Sequence, residues 1–127
     1  MLLAVNGVVD RDSLKEVLIN KVNTIEENKS FTYKGETSWW NKNERAGLLN
    51  MANSWPIGTP LSVIINGKKF EMAPETLKTM LSLIEVYSAL TFVNTNEHIT
   101  KIKMLPTIED VLNYDYTTGY PNKVIID

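Results

Sequence analysis

The chain has 127 residues, 43% of them hydrophobic, with a formal net charge of −2 and no cysteine. That length fits one domain with a core that needs no staple, and the missing cysteines exclude disulfides, thiolate metal centres and cysteine nucleophiles. Its thirteen basic residues fall singly or in pairs, so there is no basic footprint for nucleic acid.

In chain order, the start MLLAVNGVVDRD has a short apolar run but neither a basic leader nor a small-residue cleavage site, and no signal peptide is expected. Three stretches then repeat one plan: LLAVNGVVDRDSLKEVL, FTYKGETSWWNKNERAGLL and SVIINGKKFEMAPETLKTML. Each reads as two short extended runs joined at Gly7, Gly35 or Gly67, followed by a helix start. Asn-Gly and Lys-Gly suit two-residue hairpin turns because both positions need positive φ. For residues 1–12 the competing reading is a frayed terminus ahead of a long helix.

The helix starts are marked by Ser13 with Glu16, by Asn41 with Glu44, and by Pro74 followed by Glu75, which predicts three ββα units. Leu14, Val17, Leu18, Val22 and Ile25 make the first helix one-faced, as Leu48, Leu49 and Ala52, with Trp55 as a further candidate, do the second. The third carries two stripes: Leu77, Met80, Leu81, Ile84 and Tyr87, and then Leu83, Val86, Leu90 and Val93. A helix apolar on two sides is expected at the centre of the fold. Its most apolar segment, 77–93, contains Lys78 and Glu85 and is shorter than the roughly 20 residues of a membrane span. It therefore reads as a core helix of a soluble protein.

Further on, Thr95 is expected to cap a separate short helix, Leu105-Pro106 to break it, and Thr107 with Asp110 to start another. After Tyr114 the chain should turn and then extend, with VII at 124–126 as a last strand.

Parts for catalysis are few. The sole histidine, His98, has no HExxH context and no partner histidine, and reads as a solvated helix residue. The adjacent carboxylates Glu26-Glu27 and Glu109-Asp110 point in different directions on a helix, whereas a glycosidase needs two facing each other across a cleft. No glycine-rich phosphate loop occurs. No catalytic residue, cofactor or metal is expected.

Two aromatic groups remain as candidate interaction residues. Trp39 and Trp40 adjoin on an extended run, so one should enter the core while the other faces a partner or a covering helix. In YDYTTGYP (114–121), Tyr114, Asp115, Tyr116 and Tyr120 would suit a sugar platform of stacked rings and a carboxylate. The competing reading is a turn in which Asp115 and the threonines bond local backbone and the tyrosines seal the core.

From Phe31 to Val124 the order of features resembles an uncharacterised domain family found in phage and prophage proteins of gut bacteria, sometimes beside tail-fibre or tail-fibre-assembly modules. FTYKGETSWWNKNERAGLLN, INGKKFEMAPETLKTMLSLIEVYSAL, NEHITKIKML and TIEDVLNYDYTTGYPNK carry the resemblance. Residues 1–30 do not match it clearly. The family has no catalytic motif to transfer, so the resemblance implies a setting more than an activity.

The expectation is a single α+β domain over 1–127, with a distinct segment at 1–30 and a family-like core at 31–124. Small antiparallel hairpins should pack on a long central helix, with short C-terminal helices and an extended tail. The function expected is that of a non-catalytic phage structural or accessory protein, in the virion or in the host cytoplasm during assembly. It would contact itself, as a homo-oligomer, or other phage proteins, and neither nucleic acid nor membrane. The alternatives are a module binding host surface glycans and a small host-directed effector.

Overall fold

A computed structural model describes residues 4–5 and 8–127, with side chains from residue 10 onward. It is an α+β fold built on one helix of 31 residues. The elements run β1 (Ala4–Val5), β2 (Val8–Val9), α1 (Arg11–Glu27), β3 (Phe31–Tyr33), β4 (Glu36–Ser38) and α2 (Lys42–Ser54). They continue through β5 (Leu61–Ile65), β6 (Lys68–Met72), α3 (Pro74–Met104), α4 (Ile108–Leu112) and β7 (Val124–Ile126). The chain forms two compact units: Met1–Lys29 with Ala89–Pro121, and Ser30–Ser88 with Asn122–Asp127. Helix α3 contributes its first half to the second unit and its second half to the first.

Unit Ser30–Ser88 holds the two hairpins whose turns lie among the described residues. Lys34 and Gly35 have φ of 47° and 83°, and Asn66 and Gly67 have 50° and 77°. Positive φ at both central residues gives the mirror-image turn whose twist matches paired strands, as the Lys-Gly and Asn-Gly pairs predicted. β5 and β6 pair antiparallel from Leu61↔Met72 to Ile65↔Lys68. Along β5, Leu61, Val63 and Ile65 are buried while Ser62 and Ile64 are exposed, the period of two expected of a strand covered on one face.

β3 lies between β4, antiparallel, and β7, parallel. The predicted strand VII thus exists, and Lys34 N–H extends its pairing by donating to the Ile126 carbonyl at 2.7 Å. Phe31, Tyr33, Trp40, Leu61, Val63 and Ile65 pack with Leu77, Met80 and Ile84 of α3 in one core. Asn41 caps α2 with the anticipated reciprocal box: its side chain accepts from Glu44 N–H, and Glu44 accepts from Asn41 N–H.

Within the other unit, β1 and β2 pair antiparallel, while the Asn6-Gly7 turn expected between them lies outside the described residues. α1 begins earlier than Ser13 suggested. Asp10 is its N-cap and accepts from Asp12 N–H, so a short acidic side chain three residues upstream satisfies the first turn. Lys15 donates to the Lys103 carbonyl at 2.8 Å and Arg11 to the Pro106 carbonyl at 2.9 Å. Cations therefore meet the free carbonyls at and beyond the C-terminus of α3, where the helix dipole favours them. Thr107 caps α4 through Asp110 N–H, as predicted.

Two expectations about α3 need correction. Thr95 caps no separate helix: α3 passes through it unbroken to Met104, because no glycine or proline interrupts 75–104 and the Thr95 hydroxyl is engaged with Tyr120 instead. The second apolar stripe is not buried either. Leu83, Val86, Leu90 and Val93 are about half exposed, whereas Leu77, Met80, Leu81 and Ile84 of the first stripe are buried. By length and composition α3 could cross a membrane, though 39% of its most apolar window is buried within the protein.

Candidate functional site

The two sequence-predicted aromatic groups lie in different units. In unit Ser30–Ser88, Trp40 is the core-facing indole, against Phe31 with ring centroids 4.6 Å apart. Trp39 is half-buried. Its ring lies 5.4 Å from the Arg45 guanidinium and meets Tyr87 edge to face at 6.0 Å. Neither indole is on a strand, since β4 ends at Ser38.

Arg45 is what covers Trp39, and sequence reasoning missed it. Buried on α2, it donates to the Trp40 carbonyl at 2.8 Å and in a fork to both carboxylate oxygens of Glu85, at 3.0 and 3.3 Å. A planar guanidinium can hold a carboxylate, a carbonyl and an aromatic face together. The available signal was weak: an arginine four residues after a helix cap, within a predicted apolar face.

In unit Met1–Lys29 with Ala89–Pro121, the YDYTTGYP segment closes over α3. His98, only 5% exposed, places Nε2 2.8 Å from the Thr118 carbonyl and Nδ1 against the Tyr114 hydroxyl. A carbonyl can only accept, so Nε2 carries a hydrogen, and in that tautomer Nδ1 accepts from Tyr114 O–H. The solvated histidine expected from sequence is thus a buried one, because the returning chain supplies a partner to each ring nitrogen. Tyr120 bonds Thr95 at 2.9 Å and stacks obliquely on the imidazole at 5.8 Å, and Asn94 donates to the Thr118 carbonyl at 2.8 Å.

Asp115 sits outside that cluster and organises the turn. Its carboxylate accepts from both the hydroxyl and the N–H of Thr117. The Thr117 hydroxyl and then its N–H hold the Asp115 carboxyl below its ordinary range, against a small cost of burial. With its folded value depressed, the stabilising effect is complete above the ordinary value and fades as pH falls through the lower one. Burial first, then the negative charges that ionised Tyr120 and Asp115 present, raise the Tyr114 phenol above its ordinary value. Gly119 has φ +82°, a backbone conformation that favours glycine, and a Cβ there would stand 2.5 Å from Asn94 Oδ1 and displace that side chain.

For a sugar platform, the consequence is that the Tyr114 and Tyr120 hydroxyls and one Asp115 oxygen already have internal partners. Tyr116, half-buried, completes the predicted set. The missed members, Thr91, Thr95 and His98, are buried on one face of α3 and continue the line of Leu77 and Ile84. That spacing of three and four residues was readable, but polar side chains do not register as a core face.

Among the described residues, no group of three or more His, Asp or Glu is placed to hold a metal ion. A hollow of about 410 Å³ lies beside Trp55, Ile57, Pro60 and Pro74, with Glu75 and Lys78 paired at 3.4 Å on its margin. On the outward face of α3, Leu83, Val86, Leu90 and Val93 are among the exposed large hydrophobic side chains of the described residues. No family model, no curated protein and no solved structure matches the chain.

Proposed function

We propose that this chain is a non-catalytic structural or accessory protein of a phage, acting through protein–protein contacts at the outward face of α3. The observation that carries the reading is the exposure of Leu83, Val86, Leu90 and Val93 along one side of a single helix. Scattered exposed apolar residues are ordinary, but a contiguous stripe marks a surface meant to be covered. The phage setting rests on the resemblance of residues 31–124. The engaged polar groups support a binding role over a reactive one, because the buried Arg45 and His98 and the half-buried Tyr114 and Tyr120 all hold the fold.

Mass spectrometry of purified particles from the phage encoding the chain tests the proposal. The chain should be present in particles or in tail-assembly intermediates, in fixed ratio to a known structural protein. Its absence from both would contradict the reading and favour a host-directed effector.

A further inference from the structure

The outward face of α3 has an order beyond its apolarity. Thr76, Thr79, Leu83, Val86, Leu90, Val93, Glu97 and Thr100 are all exposed and recur at alternating intervals of three and four residues. That is the seam spacing of paired helices. The sequence of types is also nearly symmetric: four aliphatic side chains in the middle, with two polar positions on either side.

Such a pattern matches itself when reversed. We propose that a second copy of this chain covers this face, its α3 running antiparallel about a two-fold axis between Val86 and Leu90. Leu83 then packs beside Val93 of the second copy, and Val86 beside Leu90 of the second copy. Glu97 falls beside the hydroxyl of Thr79 of the second copy, and Thr76 beside Thr100. A parallel pair in register would instead set Glu97 against Glu97, two like charges in the seam. Antiparallel helices also oppose their dipoles.

The flanks permit close approach. Ser82, Ala89 and Asn96 border one side of the stripe, seven residues apart and without charge. A lipid surface fits less well, since interfacial helices border their apolar face with lysine and arginine. Between Thr79 and Thr100 the acidic or basic side chains of α3 are Glu85, Glu97 and the buried His98.

Area sets the strength expected. Leu83 at 48%, Val86 at 59%, Leu90 at 51% and Val93 at 51% exposure leave each about half of its surface to bury, so even with their polar flanks the interface stands no higher than near the lower bound of roughly 1,000 Å² for a specific contact. The dimer should therefore form over a micromolar range and be visibly concentration-dependent.

Sedimentation equilibrium of the full chain tests this together with single-cysteine variants, which are unambiguous because the chain has no cysteine. The apparent mass should rise from 14.4 kDa towards twice that value, and Leu90→Glu should raise the dissociation constant about tenfold or more. An equimolar mixture of Val86→Cys and Leu90→Cys should cross-link readily on oxidation, while either variant alone should not. A mass fixed at the monomer value overturns the proposal, as does cross-linking of Leu90→Cys to itself as fast as in the mixture, or binding to phosphatidylglycerol vesicles without dimerisation. Should Leu90→Glu fail to fold, the mass of the unmodified chain and the cross-links still decide.

The inference rests on the reading of this face as a protein-contact surface. A strictly monomeric chain found in phage particles would overturn the self-pairing alone. A dimer absent from particles would overturn the phage role alone.

Discussion

Phe31→Ala is expected to destabilise the protein by about 3–5 kcal/mol, the range for deleting a fully buried aromatic. Phe31 is completely buried on β3, between β4 and β7. It touches Trp40 with ring centroids 4.6 Å apart and belongs to the core that Leu77, Met80 and Ile84 reach from α3. Removing the ring opens a cavity that three residues of strand on each side cannot collapse, because β3 is pinned by hydrogen bonds along both edges. Thermal unfolding followed by circular dichroism should show a melting temperature lower by roughly 10–20 °C. A shift of only a degree or two would show that the β3–Trp40 contact does not anchor this core.

His98→Ala is expected to cost about 2–4 kcal/mol by a different route. Here the loss is less of apolar area than of hydrogen bonds, since the Thr118 carbonyl and the Tyr114 hydroxyl would lose partners they reach across the returning chain. Tyr114→Phe separates the two contributions. It keeps the ring against the imidazole and removes one hydroxyl, and should cost about 1 kcal/mol, one ordinary hydrogen bond. Chemical denaturation of both variants measures the difference. Equal and negligible losses would mean that YDYTTGYP is not held by His98, and would return its tyrosines to a role in ligand binding.

Most of the architecture could be read from local chemistry. The two described hairpin turns follow from Lys-Gly and Asn-Gly, the α2 cap from Asn41 and Glu44, the start of α3 from Pro74, and its end from Leu105-Pro106. What failed was whatever depended on distant partners. Thr95 looks like a helix cap because a hydroxyl before a polar stretch usually is one, yet its partner is Tyr120, 25 residues on. His98 looks solvated because its neighbours in sequence are polar, and it is buried because Tyr114 and Thr118 return over it. The parallel pairing of β7 with β3 likewise joins chain segments more than 90 residues apart, a proximity that no local pattern contains.

The candidate site was legible in a similar, partial way. The stripe of Leu83, Val86, Leu90 and Val93 is plain in the sequence, but periodicity reports only that a face is apolar, not what covers it. A long helix with two such faces is expected at the centre of a fold, covered on both. Instead buried side chains include Leu77, Met80 and Ile84 in the first half of α3 and Thr91, Thr95 and His98 in its second half, and the stripe itself stays about half exposed.

Under the phage role proposed above, the open face of α3 works by contact with protein, and the number of copies of the chain in each particle of the encoding phage measures that contact. Quantitative mass spectrometry would compare particles made with the unmodified chain and with Leu83→Glu/Leu90→Glu, two exposed positions where charge leaves the buried face untouched. The expected result is a folded variant whose copy number falls at least about tenfold, because carboxylates would have to be buried in an apolar seam. Undiminished incorporation of the doubly charged chain would contradict it.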